Sequence, residues 1–315
     1  MHWLALAVGF QQVMVGPMAI AVWYPSDGRV AEQPIGLFRQ TVATDGAVSG
    51  RGLPLIIISH GTGGSNASHY DLAIALARAG YVVAALTHPG DNYQDQTAAG
   101  NRRDLVDRPK QLHAMLDYML TAWPDRDRLD STRVGVFGFS LGGYTALVAI
   151  GGNPDLRQIP ALCRERPDAP ECAFIAQRHG DQLDSTAAPA GGWQHDSRIR
   201  VAVVAAPAAS VTFRGGGLRG VRVPVQLWRA TDDNQAPDAW NSGVVRAGLP
   251  VAPDEHVVPR GGHFVFTPTC SDTLARVASF MCADRASFQK RFKATVVAFF
   301  NAHLAARTRP RASAS

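Results

Sequence analysis

An apolar strand that runs straight into an apolar helix leaves a chain few folds to adopt. Residues 133–139 form the strand-like run and residues 141–150 the helical one. Gly138-Phe139-Ser140-Leu141-Gly142-Gly143 joins them with no residue to spare. The required turn is sharp, forces its central residue into a strained conformation and lifts the Ser140 hydroxyl above the sheet edge. The glycines remove side chains that would collide with the neighbouring strand and helix. Gly-x-Ser-x-Gly alone is weak, since ordinary Gly and Ser usage gives roughly 0.1–0.2 chance matches in a chain this long. Its position between strand and helix gives it weight. The competing reading is a glycine-rich turn that binds phosphate, but the Gly-Lys-Ser/Thr of such loops is missing.

The rest of the pattern fits the same architecture. Residues 19–24 read as a strand after a Gly16-Pro17 turn, and another is expected over 37–42, so the start is antiparallel β. Residues 55–58, Leu-Ile-Ile-Ile, form a fully apolar run bounded by Pro54 and Gly61, as expected of a buried parallel strand. Leu72, Ala75, Leu76 and Ala79 recur at helical spacing before Gly80. Residues 81–86 form the next strand. A helix is expected to start at Pro109, with Leu112, Met115, Leu116 and Met119 on one face. Strands follow at 198–206, 221–230 and 255–258, and an amphipathic closing helix carries Phe288, Phe292, Val296, Phe299 and Leu304. Strands alternating with helices predict an α/β fold with a mostly parallel central sheet and helices on both faces.

Residues 153–195 interrupt this rhythm. They are rich in Pro, Ala, Arg and Asp, and a structureless loop of that length is not expected inside a compact domain. They read as an inserted cap, with 187–192 (Ala-Ala-Pro-Ala-Gly-Gly) leading back to a core formed by 1–152 and 196–315. Trp193 and Trp240 are candidates to shape an apolar cleft, and both also read as packing residues.

A serine hydroxyl needs a base to become a nucleophile. Among ten histidines, His263 lies in Gly261-Gly262-His263-Phe264, after a strand and before the last helix, where paired glycines let the loop approach Ser140. His256 lies within a strand and His303 on the closing helix, so both read as structural or solvated. The base in turn needs a carboxylate to fix its tautomer. Thr231-Asp232-Asp233 follows the 221–230 strand, where the order Ser, Asp, His expects the acid. Asp233 is the choice, because Pro237 lies four residues on, and Asp232 is the runner-up. The oxyanion hole should take the Leu141 amide and one amide from Ser59-His60-Gly61-Thr62-Gly63-Gly64-Ser65. Thr62 is the choice and Gly63 the alternative. His88-Pro89-Gly90-Asp91 reads either as pocket lining or as a turn.

Bulk properties narrow the field. The 315 residues are 46% hydrophobic and suit one α/β domain with an insertion. The net charge of +5 is partly concentrated in the tail. Without a basic stripe interleaved with aromatics, it reads as a solvated surface and a disordered basic tail over 307–315, not as a nucleic-acid site. No stretch suits a bilayer span. Residues 1–8 read either as the first strand or as the remnant of a secretory signal. No metal or cofactor is expected, since no cluster has ligand spacing. The four cysteines fall into local pairs, Cys163 with Cys172 and Cys270 with Cys282. As disulfides they imply an oxidising compartment, periplasmic or secreted; as thiols, the cytoplasm.

The chain resembles the bacterial predicted dienelactone hydrolases related to platelet-activating-factor acetylhydrolases. The resemblance rests on Val22-Trp-Tyr-Pro25, Ser59-His-Gly-Thr-Gly-Gly64, Gly138-Phe-Ser-Leu-Gly142, Thr231-Asp-Asp233 with Pro237, and Gly262-His-Phe264 followed by Cys270. It implies an α/β-hydrolase fold, a Ser140–His263–Asp233 triad and a Thr62–Leu141 oxyanion hole. It also implies export and short acyl esters or lactones as small-molecule substrates. One departure stands: true dienelactone hydrolases use a cysteine nucleophile, and here the position is Ser140. The expectation is therefore a serine esterase of unknown oligomeric state. The alternatives are a non-catalytic binding protein on the same fold and an acyltransferase or perhydrolase using the same triad.

Overall fold

The structure, a computed structural model, describes residues 7–177, 189, 191–282 and 286–305. Strands β1 (Ala7–Val15), β2 (Met18–Ser26), β3 (Ala31–Ile35) and β4 (Phe38–Thr44) come first. Then strands and helices alternate: β5 (Leu53–Ser59), α1 (Tyr70–Arg78), β6 (Val82–Leu86), α2 (Arg102–Thr121), β7 (Leu129–Phe139) and α3 (Leu141–Ala149). Helices α4 (Gln158–Glu165) and α5 (Pro170–Gln177) precede β8 (Ile199–Ala205), β9 (Val225–Ala230), α6 (Ser242–Gly248) and β10 (Asp254–Val258). Helices α7 (Asp272–Val277) and α8 (Ala286–His303) close the described chain.

All strands join one ten-stranded sheet in the order β10-β9-β8-β7-β5-β6-β2-β1-β4-β3. From β10 to β6 every neighbouring pair is parallel. Strand β2 then runs antiparallel to β6, and β1 antiparallel to β2. This is the α/β fold with a mostly parallel sheet that the alternation predicts.

The alternation of side chains along each strand divides the core in two. Ile57, Ala84, Val136 and Val204 face α2 and α3, while Ile56, Val83, Phe137 and Val203 face α1 and α8. Helix α3 is buried along its whole length, which its Gly, Ala and Leu content allows.

Three expectations are corrected. Pro109 does not start a helix; α2 begins at Arg102, where the Asn101 side chain caps it by accepting from the Asp104 amide. Pro109 lies inside. Its ring removes one intrahelical bond, a cost of about 3 kcal/mol, but the apolar face of Leu105, Leu112, Met115, Leu116 and Met119 continues through it and outweighs that loss. Strand β5 starts before Pro54, not after it, and the register against β7 shifts between Leu53 and Leu55, which accommodates a residue that cannot donate. Strand β9 begins only at Val225, after Pro224, rather than at 221.

The segment after β10 reaches the β3–β4 turn. Ser271, just after the Cys270 bridge, donates its hydroxyl to the Leu37 carbonyl in the β3–β4 turn at 2.7 Å. Both expected disulfides are present, Cys163–Cys172 between α4 and α5 and Cys270–Cys282 around α7. The candidate signal remnant before residue 7, half of 187–192 and the tail 307–315 lie outside the described residues. Among the described residues no helix is long and apolar enough to cross a membrane.

Candidate active site

The carboxyl-terminal ends of β5, β7, β9 and β10 deliver the predicted residues to one rim. Ser140 follows β7 directly, with φ 54° and ψ −121°, a conformation that L side chains rarely adopt. The turn is held by backbone bonds: the Ser140 amide donates to the Ala205 carbonyl at 2.9 Å, and the Ala208 amide donates to the Ser140 carbonyl at 3.0 Å. Glycine is required on both sides. A Cβ at Gly138 would sit 2.1 Å from the Gly142 carbonyl oxygen, and one at Gly142 would sit 2.0 Å from the Ser59 carbonyl oxygen.

His263 follows β10 and reaches back over the rim. Its Nε2 lies 2.9 Å from Ser140 Oγ and its Nδ1 lies 2.8 Å from Asp233 Oδ2. The second Asp233 oxygen accepts the amides of Gln235 at 2.9 Å and Ala236 at 2.8 Å, so the carboxylate is fixed from both sides. All three side chains are buried. Asp232 points elsewhere: it is exposed and accepts the Thr231 hydroxyl. An acceptor at Nδ1 favours the tautomer that carries its proton there, the one in which Nε2 can accept from the Ser140 hydroxyl.

The Ser59–Ser65 loop crosses directly above Ser140. A Cβ on Gly61 would lie 3.0 Å from Ser140 Cβ. Of the two amides considered for the oxyanion hole, that of Gly63 is engaged, donating to Asp91 Oδ1 at 2.8 Å. Among the described residues, the amides of Thr62 and Leu141 donate to no protein acceptor, and both residues line the same cavity as Ser140 and His263. The cavity holds about 300 Å³. Helices α4 and α5 supply Ile159, Pro170, Phe174 and Ile175 to its wall, and Leu105, Phe139 and Phe264 supply much of the remaining apolar surface. Among the described residues no group of three or more His, Cys, Asp or Glu is placed to hold a metal ion.

The other candidates resolve differently. Neither Trp193 nor Trp240 lines the cavity. Trp193 packs edge-on against Tyr144, and Trp240 donates its indole N–H to Glu171. His256 stacks on Trp228 at 4.2 Å, and His303 is exposed against Phe299. His88 and Asp91 stand behind the loop, not in the cavity. His88 bonds Ser59 Oγ at 2.9 Å and Gln111 at 2.7 Å.

Sequence reasoning missed Arg108. Its side chain is 1% exposed, and Nη1 donates to Asp91 Oδ2 at 2.6 Å. Nη2 donates to the His60 carbonyl and Nε to Thr145 Oγ1 at 3.2 Å, while the Thr145 hydroxyl donates to the Leu141 carbonyl. One guanidinium thus ties the loop bearing Thr62 to the first turn of α3 bearing Leu141. Its helical phase with Leu105, Leu112 and Met115 marks Arg108 as inward-facing, but no local pattern names its partners.

A family model described as the alpha/beta hydrolase family matches residues 55–279. Two curated relatives, "Cutinase est1" and "Cutinase est2" of Thermobifida alba, are each 36% identical over 104 residues. The matched segment covers 32% of this chain and 32% and 31% of those proteins respectively, so the chain spans about a third of the length of the curated relatives it matches.

Proposed function

The chain belongs to the alpha/beta hydrolase family, and from that premise we propose that it is a serine esterase acting through Ser140, His263 and Asp233. The observation that carries this reading is the unbroken Asp233–His263–Ser140 hydrogen-bond relay, at 2.8 and 2.9 Å, on a strained strand-to-helix turn. In the proposed reaction Ser140 Oγ attacks the ester carbonyl carbon while its proton passes to His263 Nε2. The carbonyl oxygen becomes an anion held by the Thr62 and Leu141 amides. The tetrahedral centre collapses, the proton on Nε2 passes to the departing alkoxide, and an acyl-enzyme remains. Water then gives a proton to His263, attacks the acyl carbon and releases the acid, and the proton returns to Ser140. Asp233 stabilises the imidazolium formed in each half-reaction.

The finer assignments are part of the same proposal. The small, largely apolar cavity favours short acyl esters or lactones, in keeping with the likeness to dienelactone hydrolases and acetylhydrolases and with the cutinase relatives. Residues 153–195 act as a cap on a core of 1–152 and 196–315, since α4 and α5 already form one wall of the cavity. The two disulfides fit an oxidising compartment, periplasmic or extracellular.

The test is purified Ser140→Ala with a p-nitrophenyl short-chain ester and a fluorophosphonate probe. Turnover and labelling should both disappear while the far-ultraviolet spectrum stays native. Turnover that persists in Ser140→Ala overturns the nucleophile assignment. A native protein that neither labels nor turns over is a binding protein, and products formed with added alcohol or peroxide would reveal acyl transfer or perhydrolysis.

A further inference from the structure

The wall that α5 gives to the cavity is held by little apolar burial. Helix α5 has no fully buried residue, yet Glu171, Phe174 and Ile175, spaced three and four residues apart, present one of its faces to the cavity. Glu171 stands at the start of that face and reaches across to the core. Its Oε1 and Oε2 accept the Trp240 indole N–H at 3.1 and 3.0 Å, and Oε1 also accepts the Asn241 side-chain amide at 2.6 Å. Trp240 and Asn241 are both buried, and among the described residues the indole has no acceptor besides Glu171. Around this contact, the Arg166 guanidinium at the end of α4 lies over the Trp240 ring, 5.1 Å from its centroid, and the Cys163–Cys172 bridge joins α4 to α5 beside Glu171.

We propose that Glu171 is a specificity-determining residue: by fixing α5 against the core it sets how long a chain the cavity admits, so that the site favours esters with a short chain on the side that meets α5. The proposal rests on the esterase reading above and names the residue that limits substrate length.

A helix that removes little apolar area from water depends for its position on polar contacts. Hydrogen bonds to a carboxylate are stronger than those between neutral groups, and a buried indole N–H left without an acceptor is costly. Withdrawing α5 from the core would orphan the Trp240 donor, so the contact resists that movement. Asn241 carries the tie further. Its Oδ1 accepts the Ser210 amide at 3.2 Å, next to Ala208 and Ala209, which line another part of the cavity. Glu171 thus fixes the spacing between two lining segments. Phe174 and Ile175 lie about one helical turn from the anchor, so a shift at Glu171 moves the side chains that a lengthening substrate would meet. With about 300 Å³ available, each added methylene counts, and one methylene too many in an apolar pocket changes kcat/KM by roughly tenfold or more.

The experiment measures kcat/KM for p-nitrophenyl esters from acetate to decanoate and for butyrates from methyl to octyl, so that both sides of the ester are sampled. In at least one series the native protein should lose rate as the chain lengthens. Glu171→Ala should raise the long-to-short ratio in that series by about tenfold. Glu171→Gln, which keeps an acceptor oxygen, should raise it less, and Trp240→Phe, which keeps a ring but removes the donor, should raise it from the core side. A merely structural role would lower all esters together and leave the ratio unmoved. The proposal is overturned if the native protein prefers short chains in neither series, or if the ratio is unchanged or falls in Glu171→Ala. Should Glu171→Ala fail to fold, Trp240→Phe decides on the same ratio. Failure of the esterase reading has its own signature: the native protein cleaves no ester and the fluorophosphonate probe labels nothing. Calorimetric titration of the same esters then decides, with a gain in affinity for long over short chains in Glu171→Ala supporting the proposal and no gain overturning it.

Discussion

Gly63 gives its backbone N–H to Asp91, and that bond makes the loop over Ser140 part of a buried ionic scaffold. Asp91 is fully buried and paired with Arg108, whose other nitrogens reach the His60 carbonyl and Thr145. Removing one partner of a buried pair leaves the other uncompensated, at a cost of about 3–5 kcal/mol. Arg108→Met should lower stability by that amount in urea melts. It should also lower kcat, by up to about 10²-fold, with little change in KM, because it loosens both segments that carry the proposed oxyanion amides of Thr62 and Leu141. Arg108→Lys should recover part of each loss, since one ammonium cannot serve all three directions.

Asp233 and Asp232 are neighbours in sequence with opposite fates, so a paired substitution separates them. Asp233→Asn should reduce kcat by about 10⁴-fold, the size expected when the histidine loses its required tautomer. Asp232→Asn, at an exposed side chain, should change stability by no more than about 0.5 kcal/mol and leave kcat near native. Esterase kinetics on the two variants check both expectations.

The glycines of the elbow predict a steep contrast. Gly142→Ala drives a methyl into the Ser59 carbonyl, which is backbone and cannot swing aside, so a loss of about 3 kcal/mol or more is expected. Gly16→Ala meets nothing within 4 Å at φ +55°, so only backbone strain of about 1–2 kcal/mol applies. Thermal unfolding of the two variants measures the difference.

Acid should destabilise the protein through histidines that take no part in the relay. Burial lowers His60 and His69 to about 3, from 6.5, and holds His88 well below that ordinary value, with Arg108 adding to the effect on His60 and His88. The folded state keeps all three neutral, while the unfolded chain takes up protons near pH 6.5. Their contribution is thus intact above about pH 6.5 and falls away as pH drops toward 3, by up to about 1.4 kcal/mol per pH unit for each histidine. Urea midpoints taken between about pH 7 and 4 should fall accordingly. A flat profile over that range would contradict the buried, neutral assignment.

The parts of this architecture that follow local rules were readable in the chain. The elbow around Ser140 announces itself by two adjacent apolar runs, and His263 by glycines after a strand. The polar scaffold was not readable, because Asp91 and Arg108 matter only once β6 and α2 stand side by side, and no local pattern pairs them. The start of α2 was misplaced because Pro109 is a strong local signal for a first turn, whereas the burial that overrides it is tertiary. Strand β1 was blurred by its partly exposed half beyond Phe10, and β3 was missed because four of its five residues are not fully buried. Strands that bury little give little alternation to read.

The bond from Ser271 to the Leu37 carbonyl links positions 234 residues apart. During synthesis the β3–β4 turn emerges long before its partner exists, and contacts of such separation form late. A nascent chain halted ahead of residue 271 would hold a nearly complete sheet with that turn unclasped. Ribosome-arrested lengths on either side of this position should therefore differ in how readily a protease cuts near Leu37.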